Sequence, residues 1–235
     1  MFRARHCAVP LLYYPMPVLS PNSETKGILV EDTLLVREMM HIFIAEKLGY
    51  QIVGEVATGR EAIDLISRVP ADFLVLDLQL PDMTGFAMID ECIRLGVHLP
   101  KILACSAFCD DRTTYGCDHY GIRSFIYKPD TCCQVFAEAI RKLLCNKIYC
   151  STFFLRRKAE RKNNPRSFDK VLTNRQQEVV TLVGELLPDS KIAERLHIAV
   201  GTVAKHRFTA GKNLGLKGRR ALESYARDSG FPKKL

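Results

Sequence analysis

Four short apolar runs in this 235-residue chain each end in a residue able to handle charge. Gly27-Ile28-Leu29-Val30 runs into Glu31-Asp32, and Phe73-Leu74-Val75-Leu76 ends at Asp77, with Pro81-Asp82 turning the chain soon after. Lys101 to Cys105 leads into Ser106, and Ser124 to Tyr127 leads into Lys128. In an open parallel sheet, ligands bind just outside the carboxyl ends of strands, so these residues would share one rim. Three carboxylates in one crevice repel one another and are stable together with a cation, and an all-oxygen ligand set favours magnesium. A metal, an ammonium and a hydroxyl converging on one carboxylate suit a phosphoryl group, whose charge lies on three peripheral oxygens. Asp77 would then be the nucleophile of an aspartyl-phosphate. Singly, Glu31-Asp32 or Ser106 reads as a helix cap and Lys128 as a surface cation; five in register point to one site.

The elements needed to position them are legible. Strand-like runs at 26–30, 51–57, 73–77, 101–105 and 124–127 alternate with helical stretches from Leu34 to about Lys47, Arg60 to Arg68, Phe86 to Leu95 and Cys132 to Leu144. Thr33 is placed to cap the first helix and Gly49 to stop it. The stretch before Tyr120 reads as helical or irregular. Such alternation predicts an α/β fold, a doubly wound five-stranded parallel sheet covered on both faces.

Charge divides the chain. Residues 1–150 carry 15 Lys/Arg against 18 Asp/Glu, and residues 151–235 carry 19 against 8, within an overall balance of +8. The basic C-terminal part predicts an anionic partner, nucleic acid being the common one. Nine cysteines with no CxxC pair read as reduced, mostly buried thiols in a cytoplasmic protein. Arg3, Arg5 and the apolar stretch Ala8 to Leu19 hint at a signal peptide, but Pro10, Pro15 and Pro17 interrupt it. Residues 1–25 are expected to be a disordered extension without assigned function, and no apolar stretch is long enough to span a membrane.

Residues 26–145 resemble the receiver domain of bacterial two-component response regulators. The matches are Glu31-Asp32, Asp77, Pro81, Gly85, Ser106-Ala107, Gly121, Phe125 and Lys128-Pro129, at fitting intervals. The resemblance implies a flavodoxin-like sheet in which Glu31, Asp32, Asp77 and the backbone carbonyl of Gln79 hold Mg2+. It implies that a sensor histidine kinase phosphorylates Asp77, that Lys128 pairs with the phosphoryl oxygens, that Ser106 swings to bond them, and that Phe125 follows. Family members often carry Tyr at the position of Phe125. A phosphatase using an aspartate nucleophile needs a second acid two residues on, where this chain has Gln79. The expectation is therefore a switch, not an enzyme beyond its own phosphoryl transfer and hydrolysis.

Residues 146–170 read as a basic linker ending in Pro165, and residues 171–235 as a small all-α domain. Thr173-Asn174-Arg175-Gln176 has capping-box form, and two short helices across a tight turn have helix-turn-helix proportions. This part resembles the LuxR-type helix-turn-helix of NarL/FixJ-type regulators, through Leu172-Thr173, Glu178-Val179, Lys191 to Leu196, Thr202-Val203, His206-Arg207 and Leu214-Gly215. The resemblance implies a DNA-binding transcriptional regulator, dimeric when phosphorylated, with Thr202, Lys205, His206 and Arg207 toward double-stranded DNA. Leu186 stands where the family has Gly, Ala199 where it has a capping hydroxyl, Gly201 lies in the recognition helix, and Ala204 replaces a common Lys. These departures keep a second expectation open, a degenerate output domain acting through protein contacts.

Overall fold

Alternate residues of the central strands point to opposite faces and are apolar on both, which is what a parallel sheet sandwiched between helices requires. In this computed structural model, which describes residues 24–231, the strands are β1 (Lys26–Val30), β2 (Gln51–Val56), β3 (Phe73–Asp77), β4 (Lys101–Ser106), β5 (Ser124–Tyr127) and β6 (Tyr149–Cys150). They form one parallel sheet in the order β2-β1-β3-β4-β5-β6. The five expected strands are present. The sixth is a two-residue edge strand from the stretch that the sequence suggested was linker. Residues 1–23 of the N-terminal extension lie outside the described residues.

One face packs Leu29, Phe73, Val75, Leu103 and Ile126 against Ile44 and against Phe136, Ala139 and Ile140 of α5 (Cys133–Leu144). Ile44 belongs to a π-helical turn, Phe43–Lys47, that continues α1 (Leu34–Ile42). The other face packs Ile28, Val30, Leu74, Leu76 and Ala104 against Ala62 and Ile66 of α2 (Gly59–Arg68) and Met88 and Ile89 of α3 (Gly85–Arg94). Thr58 and Glu61 close a capping box on α2. Thr33 holds the N-cap position of α1, but its side chain makes no cap bond; its hydroxyl donates to Asp32 instead, at 3.3 Å. The stretch before Tyr120 is a helix, α4 (Asp111–His119), whose N-terminus the Asp110 carboxylate caps by accepting from the Thr113 N–H.

After β6 the chain forms α6 (Thr152–Asn163), a 12-residue helix lying on α4 and β5. Its aromatic pair anchors it. Phe154 stacks on Phe125 at 4.3 Å and Phe153 on Tyr127 at 4.5 Å. Burying Phe154 alone contributes about 2–3 kcal/mol. The helical C-terminal part follows: α7 (Phe168–Val171), α8 (Asn174–Gly184), α9 (Asp189–Leu196), α10 (Val200–Leu214) and α11 (Arg219–Asp228) around Val179, Val183, Ile192, Val203, Leu214 and Leu222. The Thr173–Gln176 capping box forms as expected. Leu186 adopts φ +62°, the left-handed backbone for which glycine is suited, at a cost of roughly 1–2 kcal/mol. Gly215 meets the same demand without that cost, closing α10 at φ +75°.

The two cores touch through α4. Tyr115 meets Phe168 edge-on at 5.3 Å, and Arg112 lies over Phe231 at 4.9 Å while its backbone N–H donates to the Ser229 carbonyl. Among the described residues, no helix is long and apolar enough to cross a membrane.

Candidate phosphoryl-transfer site and basic helix face

Register brings the candidate residues to one rim. β1 pairs with β3, placing Val30 beside Leu76, so the chain leaves the sheet at Glu31-Asp32 next to Asp77. β3 pairs with β4, and β4 with β5, which sets Ser106 opposite Tyr127 and Lys128 one residue further on. One carboxylate oxygen from each of Glu31, Asp32 and Asp77 lies within 4.8 Å of the others. Glu31 and Asp77 are buried and Asp32 is exposed, so the cluster opens to solvent on the Asp32 side.

Lys128 ties the two buried acids together. Its Nζ donates to Asp77 Oδ2 at 2.6 Å and to Glu31 Oε2 at 2.7 Å. Asp77 Oδ1 accepts from the backbone N–H of Gln79 at 2.8 Å, and Glu31 Oε1 from the N–H of Thr33. Burial raises the Asp77 carboxyl above the ordinary aspartate value, with Lys128 and the Gln79 N–H pulling against it and Glu31 reinforcing it. Burial would lower the Lys128 ammonium, yet Asp77 and Glu31 outweigh it and raise Lys128 above the usual lysine range. Among the described residues, Lys128 bonds two of the three acids of the cluster, Asp77 and Glu31, and Asp32 stands on its exposed side.

The loop after β3 is held from both sides. Gln79 bridges to Thr84, and the Gly85 N–H donates to the Leu78 carbonyl. A Cβ at Gly85 would stand 2.9 Å from the Asp77 carbonyl oxygen, so the close approach demands glycine. Asp82 reaches back to accept from the Gly59 and Arg60 N–H groups at the start of α2. Ser106 is buried, its Oγ accepting from the Phe108 N–H at 3.1 Å. Phe125 is fully buried beneath it against Phe154. A cavity of about 450 Å³ runs from Gln79, Thr84 and Ser106 to Gln177, Thr181 and Phe231 of the C-terminal helices.

The C-terminal candidates fare unevenly. Thr202 and Lys205 are exposed on α10, and His206 is half-buried. Arg207 is engaged within the domain: its guanidinium donates to Asp189 Oδ2 at 3.0 Å, and Arg219 holds the other oxygen of Asp189 at 2.6 Å. The pairing follows from tertiary position, since Asp189 opens α9 and the two cations clamp it between helices. Sequence reading also missed Phe208, which stands out among the polar residues of α10; its neighbours in sequence gave the signal, a large aromatic on an otherwise cationic face. The face around Gly201, Lys205, Phe208 and Lys212 stays open to solvent while α4 contacts the helical core.

The chain is similar to known proteins. Residues 28–139 match the family model of the response regulator receiver domain. The response regulator protein VraR of Staphylococcus aureus is 27% identical over 183 residues, covering 77% of this chain and 86% of VraR. A structure of RcsB from Salmonella enterica serovar Typhimurium, bound to a promoter in the presence of phosphomimetic BeF3−, aligns with a TM-score of 0.62 at 18% identity over 87% of this chain and 98% of that one. An RcsB–DNA complex aligns at 0.59 and 20% identity, with the same coverage.

Proposed function

Because residues 28–139 are a response-regulator receiver domain, we propose that this chain is a phosphorylation-controlled DNA-binding regulator with Asp77 as its phosphoacceptor. Residues 26–145 are the receiver, 146–170 the connecting segment and 171–235 the DNA-binding module. One observation carries the reading: Glu31, Asp32, Asp77, Ser106 and Lys128 meet at the carboxyl rim of the sheet.

The donor is a phosphohistidine of a sensor kinase. A carboxylate oxygen of Asp77 attacks phosphorus, the phosphorus–nitrogen bond breaks, and the imidazole leaves with its electron pair and takes up a proton. Later attack by water on the same phosphorus releases inorganic phosphate and restores the carboxylate. Three oxygen donors within 4.8 Å, two of them from acids that share one ammonium, fit a hard divalent cation. Glu31, Asp32, Asp77 and the Gln79 carbonyl would hold Mg2+, which supplies positive charge against the peripheral phosphoryl oxygens when bound. Lys128 sits on Asp77 Oδ2 and is placed to follow the transferred group. Ser106 Oγ has one bond to exchange, from the Phe108 N–H, and its rotation would free the space that Phe125 borders. Phe125 stacks on Phe154 of α6, so a change at the rim reaches the connecting helix by direct packing.

For the output, Thr202 and Lys205 on the open face of α10 are the base-edge and phosphate contacts, with His206 beside them. Arg207 is assigned to the Asp189 clamp. RcsB has been captured on DNA in the same fold, and paired half-sites imply that this chain binds as a dimer. The test is a salt titration on duplexes selected from a random pool by the phosphodonor-treated full chain. The expected result is a preferred sequence with affinity falling linearly in log–log form, by about 0.9 in slope for each phosphate contacted. Binding that is absent, or salt-steep yet indifferent to sequence, would replace this output with a protein-docking one.

A further inference from the structure

Phe208 is 73% exposed, the most open of the large apolar side chains among the described residues. It lies on α10 with Gly201, Lys205 and Lys212, at offsets of four, seven and eleven residues that place them on one face. Gly201 has open space where a Cβ would be. On its other side Phe208 borders a cavity of about 440 Å³ with Gly211, Lys212, Leu216 and Lys217. The phenyl ring is thus an apolar island ringed by Lys205, Lys212 and Lys217. An aromatic ring exposed within positive charge is complemented by a partner that offers both an apolar group and anions. A second copy of this face would bring like charges together, and an apolar protein surface would have to bury three ammonium groups. A DNA duplex satisfies both demands: its phosphates take the lysines, and its major groove offers one apolar group, the C5-methyl of thymine.

Resting on the DNA-binding reading above, we infer that Phe208 is a specificity-determining residue that reads thymine methyl groups in the major groove. Lys205 and Lys212 flank it on the phosphates. Gly201 allows the start of α10 to approach the bases closely. Direct readout then depends on a methyl contact where a hydrogen-bonding side chain would ordinarily stand, so the recognised step is a thymine and not a guanine.

The experiment uses the full chain, treated with a phosphodonor, and the duplex it selects from a random pool. Each thymine is replaced singly by deoxyuridine, which removes the methyl and keeps the base pair. At one or two thymines in each half-site the replacement should weaken wild-type binding about fivefold, the value of one buried methyl. Phe208→Ala should bind the unmodified duplex more weakly by a similar factor and be indifferent to deoxyuridine at those positions; Phe208→Leu should retain part of the discrimination. Its exposure lets all three proteins fold alike, checked by their melting curves. The inference is overturned if Phe208→Ala keeps wild-type affinity, if it still pays for the same deoxyuridines, or if no replacement matters while sequence preference persists. Absence of any sequence-selective binding by the wild-type chain overturns the DNA reading itself, and this assignment with it.

Discussion

Asp77→Asn takes up no phosphate from an acyl-phosphate donor in the presence of magnesium, a loss of at least roughly a thousandfold, because the amide oxygen is a poor nucleophile at the one position where Lys128 and the Gln79 N–H converge. The substitution is nearly isosteric, and Glu31 and Asp32 remain, with Lys128 still bonded to Glu31 at 2.7 Å. Undiminished labelling in that variant would move the acceptor to one of those acids. Stability should respond in the opposite sense. The Asp77 carboxyl is raised in the fold by burial, so its ionised form costs stability near neutral pH, a cost that shrinks as pH falls through its folded value and is gone below its ordinary unfolded value. Asp77→Asn removes that cost, although it also gives up one ion pair with Lys128. Magnesium should raise the melting temperature of the wild-type chain and do so far less in Asp77→Asn, since stabilisation by a ligand scales with its affinity for the folded state. Intact-mass measurement after donor treatment and a melting curve with and without magnesium check both halves.

Arg161→Ala lowers the stability of the chain by about 3 kcal/mol, the lower part of the range for stripping one partner from a buried ion pair. Arg161 is only 3% exposed although it belongs to the segment richest in charge. Its guanidinium fork serves three acceptors on two elements: Thr114 Oγ1 at 2.9 Å and Asp118 Oδ2 at 2.5 Å on α4, and Asp169 Oδ2 at 2.6 Å on α7. Removing it leaves Asp169 facing a vacated buried site, while Asp118 keeps Lys158, which is why the loss falls at the lower end. Arg161→Lys should not restore the wild-type value, because a single ammonium cannot span three acceptors in a plane. Lys162→Ala, whose ammonium lies 3.6 Å from Asp118 and is largely exposed, should change stability by less than about 0.5 kcal/mol. Denaturant unfolding of the three variants separates these cases. An Arg161→Ala midpoint equal to that of Lys162→Ala would show that the connecting helix does not fasten α4 to the helical core.

The rim was readable in the sequence because a charged residue at the end of an apolar run has one place to go in a parallel sheet. Ile28 to Val30, Leu74 to Leu76 and their bounding acids state strand, direction and tip within a few residues. The register that aligns four such tips is a property of the sheet, and the sequence expressed it only through the intervals between them. The helix α4 was harder to see: Asp-Arg-Thr-Thr-Tyr-Gly-Cys-Asp-His has almost no apolar stripe, and its capping signal, Asp110 accepting from Thr113, was passed over. The connecting segment reads as apolar enough to pack on one domain from Ile148 to Leu155, and as a basic linker from Arg156 onward. Nothing local reveals that Arg161 finds Thr114 and Asp118 more than forty residues away, or that Phe154 finds Phe125. Arg207 is a second such pairing. A cation on a recognition helix suggests DNA, and only the fold brings Asp189 and Arg219 to it. Pairings between distant charges are set by packing, and they are where reading from sequence stops.

Control of the helical module by the receiver is the central claim, and the affinity of one selected duplex for the full chain measures it most directly. The chain is titrated onto that duplex before and after treatment with an acyl-phosphate donor and magnesium, alongside Asp77→Asn treated in the same way. The account predicts that treatment changes wild-type affinity and leaves Asp77→Asn where it began. Equal affinities for treated and untreated wild-type chain, or an equal response from Asp77→Asn, would contradict it.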